Sequence, residues 1–106
     1  MKIQINTGQN IDGREGMARH AESVVEATLR HLTEHVTRVE VHLSDQNSEK
    51  GGHTDKRCLM EARVEGHQPI AVTDEAETVH QAIAGAAEKL KQALGHVLSR
   101  GNEHPA

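Results

Sequence analysis

The segment Thr78 to Arg100, TVHQAIAGAAEKLKQALGHVLSR, constrains the fold more than any other part of the chain. Its apolar residues Val79, Ile83, Ala86, Ala87, Leu90, Leu94, Val97 and Leu98 recur at steps of three and four. That period lines one side of an α-helix of about six turns. A helix with one apolar side needs a layer to pack against, and the rest of the chain must supply it. The layer has to be built without Phe, Tyr or Trp, which are absent from the 106 residues. Aliphatic side chains and methionine therefore carry the burial, each contributing about 1.5–3 kcal/mol when fully buried. The same absence excludes reading single-stranded RNA by stacking bases on Phe or Tyr.

Upstream, short alternating segments supply the layer. Lys2 to Thr7 places Ile3 and Ile5 on one side and Lys2, Gln4 and Asn6 on the other, a strand pattern. Gly8 to Gly13 reads as a turn, with Asp12 as the helix N-cap. From Arg14 to about Glu34, Met17, Ala21, Val24, Val25, Thr28 and Leu32 form one helical stripe. Glu26 and Arg30 stand at i, i+4 on its outer side, a pair contributing about 0.3 kcal/mol. Arg38 to Ser44 alternates, with Val39, Val41 and Leu43 inward and Arg38, Glu40 and His42 outward. Ser44 to Asp55 is polar and glycine-rich, which predicts a long loop or hairpin tip. Lys56 to Glu65 is a third strand, with Cys58, Met60, Ala62 and Val64 on one face. After the Gly66-His67 turn, Gln68 to Thr73 is a fourth, with Pro69 tolerated at its start. Asp74 to Glu77 leads into the last helix.

The order is thus β-α-β-β-β-α, an α+β fold. The first two strands, joined through a helix, are expected to be parallel and the others antiparallel. One apolar face per strand and one stripe per helix predict a four-stranded mixed sheet with both helices on one face. Residues 1–100 read as a single domain and 101–106 as a short flexible tail.

The net charge is −4, with no basic arm or acidic tail, so any nucleic-acid contact must come from a local patch. The single cysteine, Cys58, has no internal disulfide partner and no CxxC neighbour. It falls on an inward face, which predicts a packed thiol in a reducing compartment. No signal-like or membrane-spanning run is present, so the expectation is a soluble cytoplasmic protein. His31 and His35 have the i, i+4 spacing of two metal ligands, but HExxH is absent and a catalytic zinc needs a third ligand. Two surface histidines are the expected reading. No nucleophile, base and orienting acid stand together, and neither an enzyme, a small-molecule substrate, a metal nor a cofactor is expected.

Three pieces of sequence, in order and spacing, carry a resemblance. They are Thr7, Gly8, Asn10 and Ile11 after the first strand; Arg38-Val39-Glu40-Val41-His42-Leu43; and Ala82-Ile83 with Gly85, followed by Lys89-Leu90. Together they resemble the ribosome hibernation promoting factor and ribosome-associated inhibitor family, whose fold is like that of double-stranded RNA-binding domains. The resemblance spans nearly the whole chain and matches the family's short form. It implies a non-enzymatic partner of the small ribosomal subunit. Such a protein occupies the channel for messenger and transfer RNA, contacts ribosomal RNA and stops translation under starvation. Departures are His80 where the family has an aromatic residue, Ala84 where it has an acid, and Glu22 and Glu26 on a first helix that is richer in lysine elsewhere in the family.

Candidate contacts follow. Lys89, His96 and Arg100 fall on one flank of the last helix beside the small Ala82, Gly85 and Ala93, a strip that a phosphate backbone could approach closely. The other reading is solvated helix charge, with Arg100 favoured by the C-terminal end of the dipole. Lys91 lies on the opposite flank. Lys56 and Arg57 open the third strand, and Arg57 and Arg63 share the outer sheet face with Arg38 and His42. These are either a second phosphate patch or cross-strand partners of Glu40 and Glu61, worth about 0.2–1 kcal/mol per pair. The alternative to an RNA-binding factor is a protein-interaction module on the same fold, such as a modulator of a sigma factor, using its exposed strand edges.

Overall fold

Alternation in the strands and the stripes on the helices converge on one core. A computed structural model describes residues 1–8, 11, 13–45 and 56–102, with side chains to Ser99. The elements are β1 (Lys2–Thr7), α1 (Arg14–Thr28), a 3-10 turn at Arg30–Leu32, β2 (Val36–Asp45), β3 (Lys56–Val64), β4 (Ile70–Ala76) and α2 (Val79–Asn102). The sheet order is β1-β2-β3-β4. β1 runs parallel to β2, and the other neighbours are antiparallel. The inward residues Val39, Val41, Leu43, Cys58, Met60, Ala62 and Val64 form one cluster with Ala21, Val25 and Leu29 and with Ile83, Leu90 and Leu94 of α2. Both helices therefore cover the same face, and the other face of the sheet is polar.

Several boundaries differ from the sequence expectation, among them the start of β4, which is Ile70 and not Gln68 and leaves Pro69 ahead of the strand. α1 stops at Thr28 instead of about Glu34. Leu29, the C-cap residue four positions beyond Val25, is fully buried and still donates its N–H to the Val25 carbonyl at 2.9 Å. Successive bonds Leu32 N–H to Leu29 O (2.8 Å) and His35 N–H to Leu32 O (3.1 Å) turn the chain back toward β2. Arg30 is consequently beyond the helix, and neither Glu26–Arg30 nor His31–His35 has helical i, i+4 geometry. β2 begins at Val36, two residues early, because a bulge between Val36 and Arg38 resets the alternation. Val36 and Val39 then both point inward, and the Thr37 hydroxyl donates to the Arg63 carbonyl (3.2 Å). β4 continues through Asp74 to Ala76, so these residues belong to a strand and not to the approach to the helix. At the other end α2 runs on to Asn102.

The helix starts are capped differently. The cap of α1 is Gly13 in a left-handed conformation (φ 60°), which a glycine adopts without steric cost. The N-cap expected at Asp12 and the loop at 46–55 lie outside the described residues. α2 has a reciprocal capping box, in which Gln81 N–H donates to Thr78 Oγ1 (3.1 Å) and Thr78 N–H to Gln81 Oε1 (3.3 Å). Such boxes satisfy two otherwise unpaired backbone donors.

Candidate nucleic-acid interface

α2 is a rod about 36 Å long, 24 residues at the helical rise. Steps of seven and eleven residues return to within about 20° of the same line, so Lys89, His96 and the backbone position of Arg100 share one flank. Lys91 is on the other. His80 stands eleven residues before Lys91, and its ring lies 4.4 Å from that of His20 on α1, tilted by 52°. That flank thus meets α1 at His80, and Lys89 lies beside β4. His80, at the position where the resembling family has an aromatic residue, supplies a ring contact between the two helices.

The three small residues of the strip have different fates. Ala82 is fully buried in the core and offers nothing to an outside ligand. Ala93 is half-buried. Gly85 accommodates a side chain of this protein, since a Cβ there would lie 2.6 Å from Cγ of Asp74. The Asp74 carboxylate reaches across from β4 and holds Lys89, Oδ1 to Nζ 2.9 Å. Lys89 also donates to the Thr73 carbonyl at 2.9 Å. His96 and Lys91 are exposed. Lys89 is thus tied to the edge strand, while its own side chain remains 53% accessible.

The β3 candidates separate. Neighbouring strand residues point to opposite faces, so Lys56 lies on the helix side and Arg57 on the outer side. Lys56 pairs with Asp45 at 3.1 Å. It lines a cleft of about 250 Å³ at the start of α2 together with Asp45, Glu77 and His80. Two carboxylates make that cleft a poor seat for a phosphate. On the outer face, register places Lys2, Arg38 and Arg63 in one row and Glu40 opposite Glu61 in the next. Directly opposed residues therefore carry like charge, and neutralisation runs along the strand instead. Arg38 bridges Glu40 at 2.8 Å and donates to Gln4. Arg57 faces Ser44 and Glu75 across the sheet.

Cys58 is fully buried, and its thiol is pushed up to about 12, first by burial and then by the nearby Asp74 charge. It stays protonated at neutral pH and is no nucleophile. Raising the value above the ordinary 9.0 favours the protonated native form. Unfolding is therefore promoted once the unfolded thiol ionises above pH 9, and stability falls as pH rises toward 12. Cys58 should contribute a loss on the order of 1 kcal/mol by pH 10. Denaturant titrations at pH 8 and pH 10 should show that loss in the parent protein and a smaller one in Cys58→Ala. Equal losses would mean that the thiol is not the group responsible.

Among the described residues, no group of three or more His, Cys, Asp and Glu converges on a metal site. No helix there is long and apolar enough to cross a membrane.

Solved structures share this architecture. The Thermus thermophilus Protein Y N-terminal domain matches with a TM-score of 0.71 at 18% identity, over 92% of this chain and 99% of that one. A ribosomal subunit interface protein from Coxiella burnetii matches with a TM-score of 0.67 at 17% identity, over 93% and 99%. At these identities the likeness establishes the fold. No curated protein matches the sequence. The sequence pattern of one family does, over residues 4–101, nearly the whole chain: this protein belongs to the sigma 54 modulation protein / S30EA ribosomal protein family.

Proposed function

We propose that this protein is a non-enzymatic, cytoplasmic ribosome-associated translation inhibitor. It binds the small ribosomal subunit under starvation and occupies the channel for messenger and transfer RNA. The observation that carries the reading is family membership over residues 4–101, which takes in at least part of every element of the fold. The α2 flank with Lys89, His96 and Arg100 is the proposed contact with ribosomal RNA, and Lys91 extends it on the other side. Lys56 and Arg57 are secondary candidates. Inhibition by occupancy needs no cofactor and no bond-making step. Addition of the protein to a reconstituted translation reaction in slight excess over ribosomes should suppress peptide synthesis, and a large excess of messenger RNA should restore it. Unchanged synthesis at a tenfold excess of protein would contradict the proposal.

A second reading is favoured by one observation, the Asp74 carboxylate that offsets the charge of Lys89. A chain of net charge −4 with a neutralised lysine on its candidate strip also suits a protein partner held at a strand edge. Such a complex would survive high salt and contain no RNA.

A further inference from the structure

Gly85 and Asp74 stand eleven residues apart, one on α2 and one on β4, and interlock in space. A side chain at Gly85 would collide with the Asp74 carboxylate, its Cβ 2.6 Å from Cγ and 3.1 Å from Oδ1. The glycine is what lets a strand carboxylate lie against the second turn of α2. From there Oδ1 sits 2.9 Å from Lys89 Nζ, while the Thr73 carbonyl takes a second donor of the same ammonium. A lysine ammonium has three donors, so one is left. Any phosphate that reaches it meets the Asp74 charge at close range. The small-residue gap on the flank is therefore already filled by an anion belonging to the protein.

We infer that Asp74 is the affinity-determining residue of the α2 flank, an internal carboxylate that competes with RNA phosphate for Lys89 and is seated by Gly85. The inference rests on the RNA-facing role proposed above for that flank. Asp74 acts through Lys89 and is a positioning residue, not a contact. It makes binding weaker and less salt-dependent than the number of basic residues on α2 would give. Displacing it exposes a full positive charge where counterion release can be used.

The test is a titration of N-terminally labelled full-length protein with purified small ribosomal subunits at several salt concentrations. Asp74→Asn keeps the shape and removes the charge. It should bind about fivefold tighter at low salt, as expected when the charge of Lys89 is freed to pair with one phosphate. The log–log salt slope should steepen by about one, the signature of one more phosphate neutralised. A purely structural role for Asp74 would not move that slope. In a Lys89→Gln background the same change should have no effect. Gly85→Ala, which forces the carboxylate aside, should reproduce the tightening and carries the test if Asp74→Asn does not fold. Parent protein that binds, with Asp74→Asn equal or weaker, overturns this inference alone. Tightening that persists without Lys89 also overturns it. Absence of binding by every variant removes the RNA-facing role of α2 and this inference with it.

Discussion

Leu90→Ala should lower stability by about 3 kcal/mol, within the range of about 2–5 for a buried leucine truncated to alanine. Leu90 is fully buried and among the largest side chains in a core that has no aromatic ring to fill a gap. It sits midway along the buried stripe of α2, so the loss falls where helix and sheet meet. In a domain whose total stability is about 5–15 kcal/mol, this is a large share. For a chain of this size the midpoint of thermal unfolding should drop by roughly 15 °C. Leu98→Ala, at a partly buried position near the helix end, should cost less than half as much. Comparable losses at both sites would mean that the core extends further along α2 than the burial indicates.

The second large effect is on binding. Lys89→Glu combined with Arg100→Glu should weaken association with the small ribosomal subunit about 100-fold at low salt. Both reversals add repulsion, and the salt slope should fall by about one, the share of Arg100, since Asp74 already offsets the Lys89 charge in the parent. The two positions lie eleven residues apart on one flank, a span of about 16 Å along the axis. Stability should change little, because the Lys89–Asp74 pair is half exposed and pairs of that kind contribute about 0–1 kcal/mol. Melting curves of parent and variant would confirm an intact fold, and filter binding or anisotropy would read the affinity. An unchanged affinity in a folded variant would take the α2 flank out of the interface.

Local periodicity made most of the fold legible. Steps of three and four gave Ile83, Leu90 and Leu94 on α2, and alternation gave Val39, Val41 and Leu43 on β2 and Cys58, Met60 and Ala62 on β3. Errors arose where a long-range contact overrode the local pattern. No Gly or Pro stands between Arg14 and His35 except Gly16, so the stop at Thr28 had no local signal. The turn is made by the backbone bonds of Leu32 to Leu29 and of His35 to Leu32, which lead the chain into β2. The bulge at Val36/Arg38 broke the alternation that would have marked the true start of β2. Asp74 and Glu75 look like first-turn acids of a helix, yet pairing with Cys58 and Arg57 places both in β4. The arrangement of the candidate residues was legible in part. Spacing alone aligned Lys89, His96 and Arg100. The filling of Gly85 by Asp74 depends on the packing of a strand against a helix, and cross-strand register decides that Arg38 faces Arg63 while Glu40 faces Glu61. Neither relation is written in any single segment.

The most direct test of the account is co-sedimentation of the full-length protein with purified small and large ribosomal subunits at low and moderate salt. The account predicts pelleting with the small subunit, reduced as salt rises. Failure to pellet at low salt, or binding that ignores both salt and the choice of subunit, would contradict it.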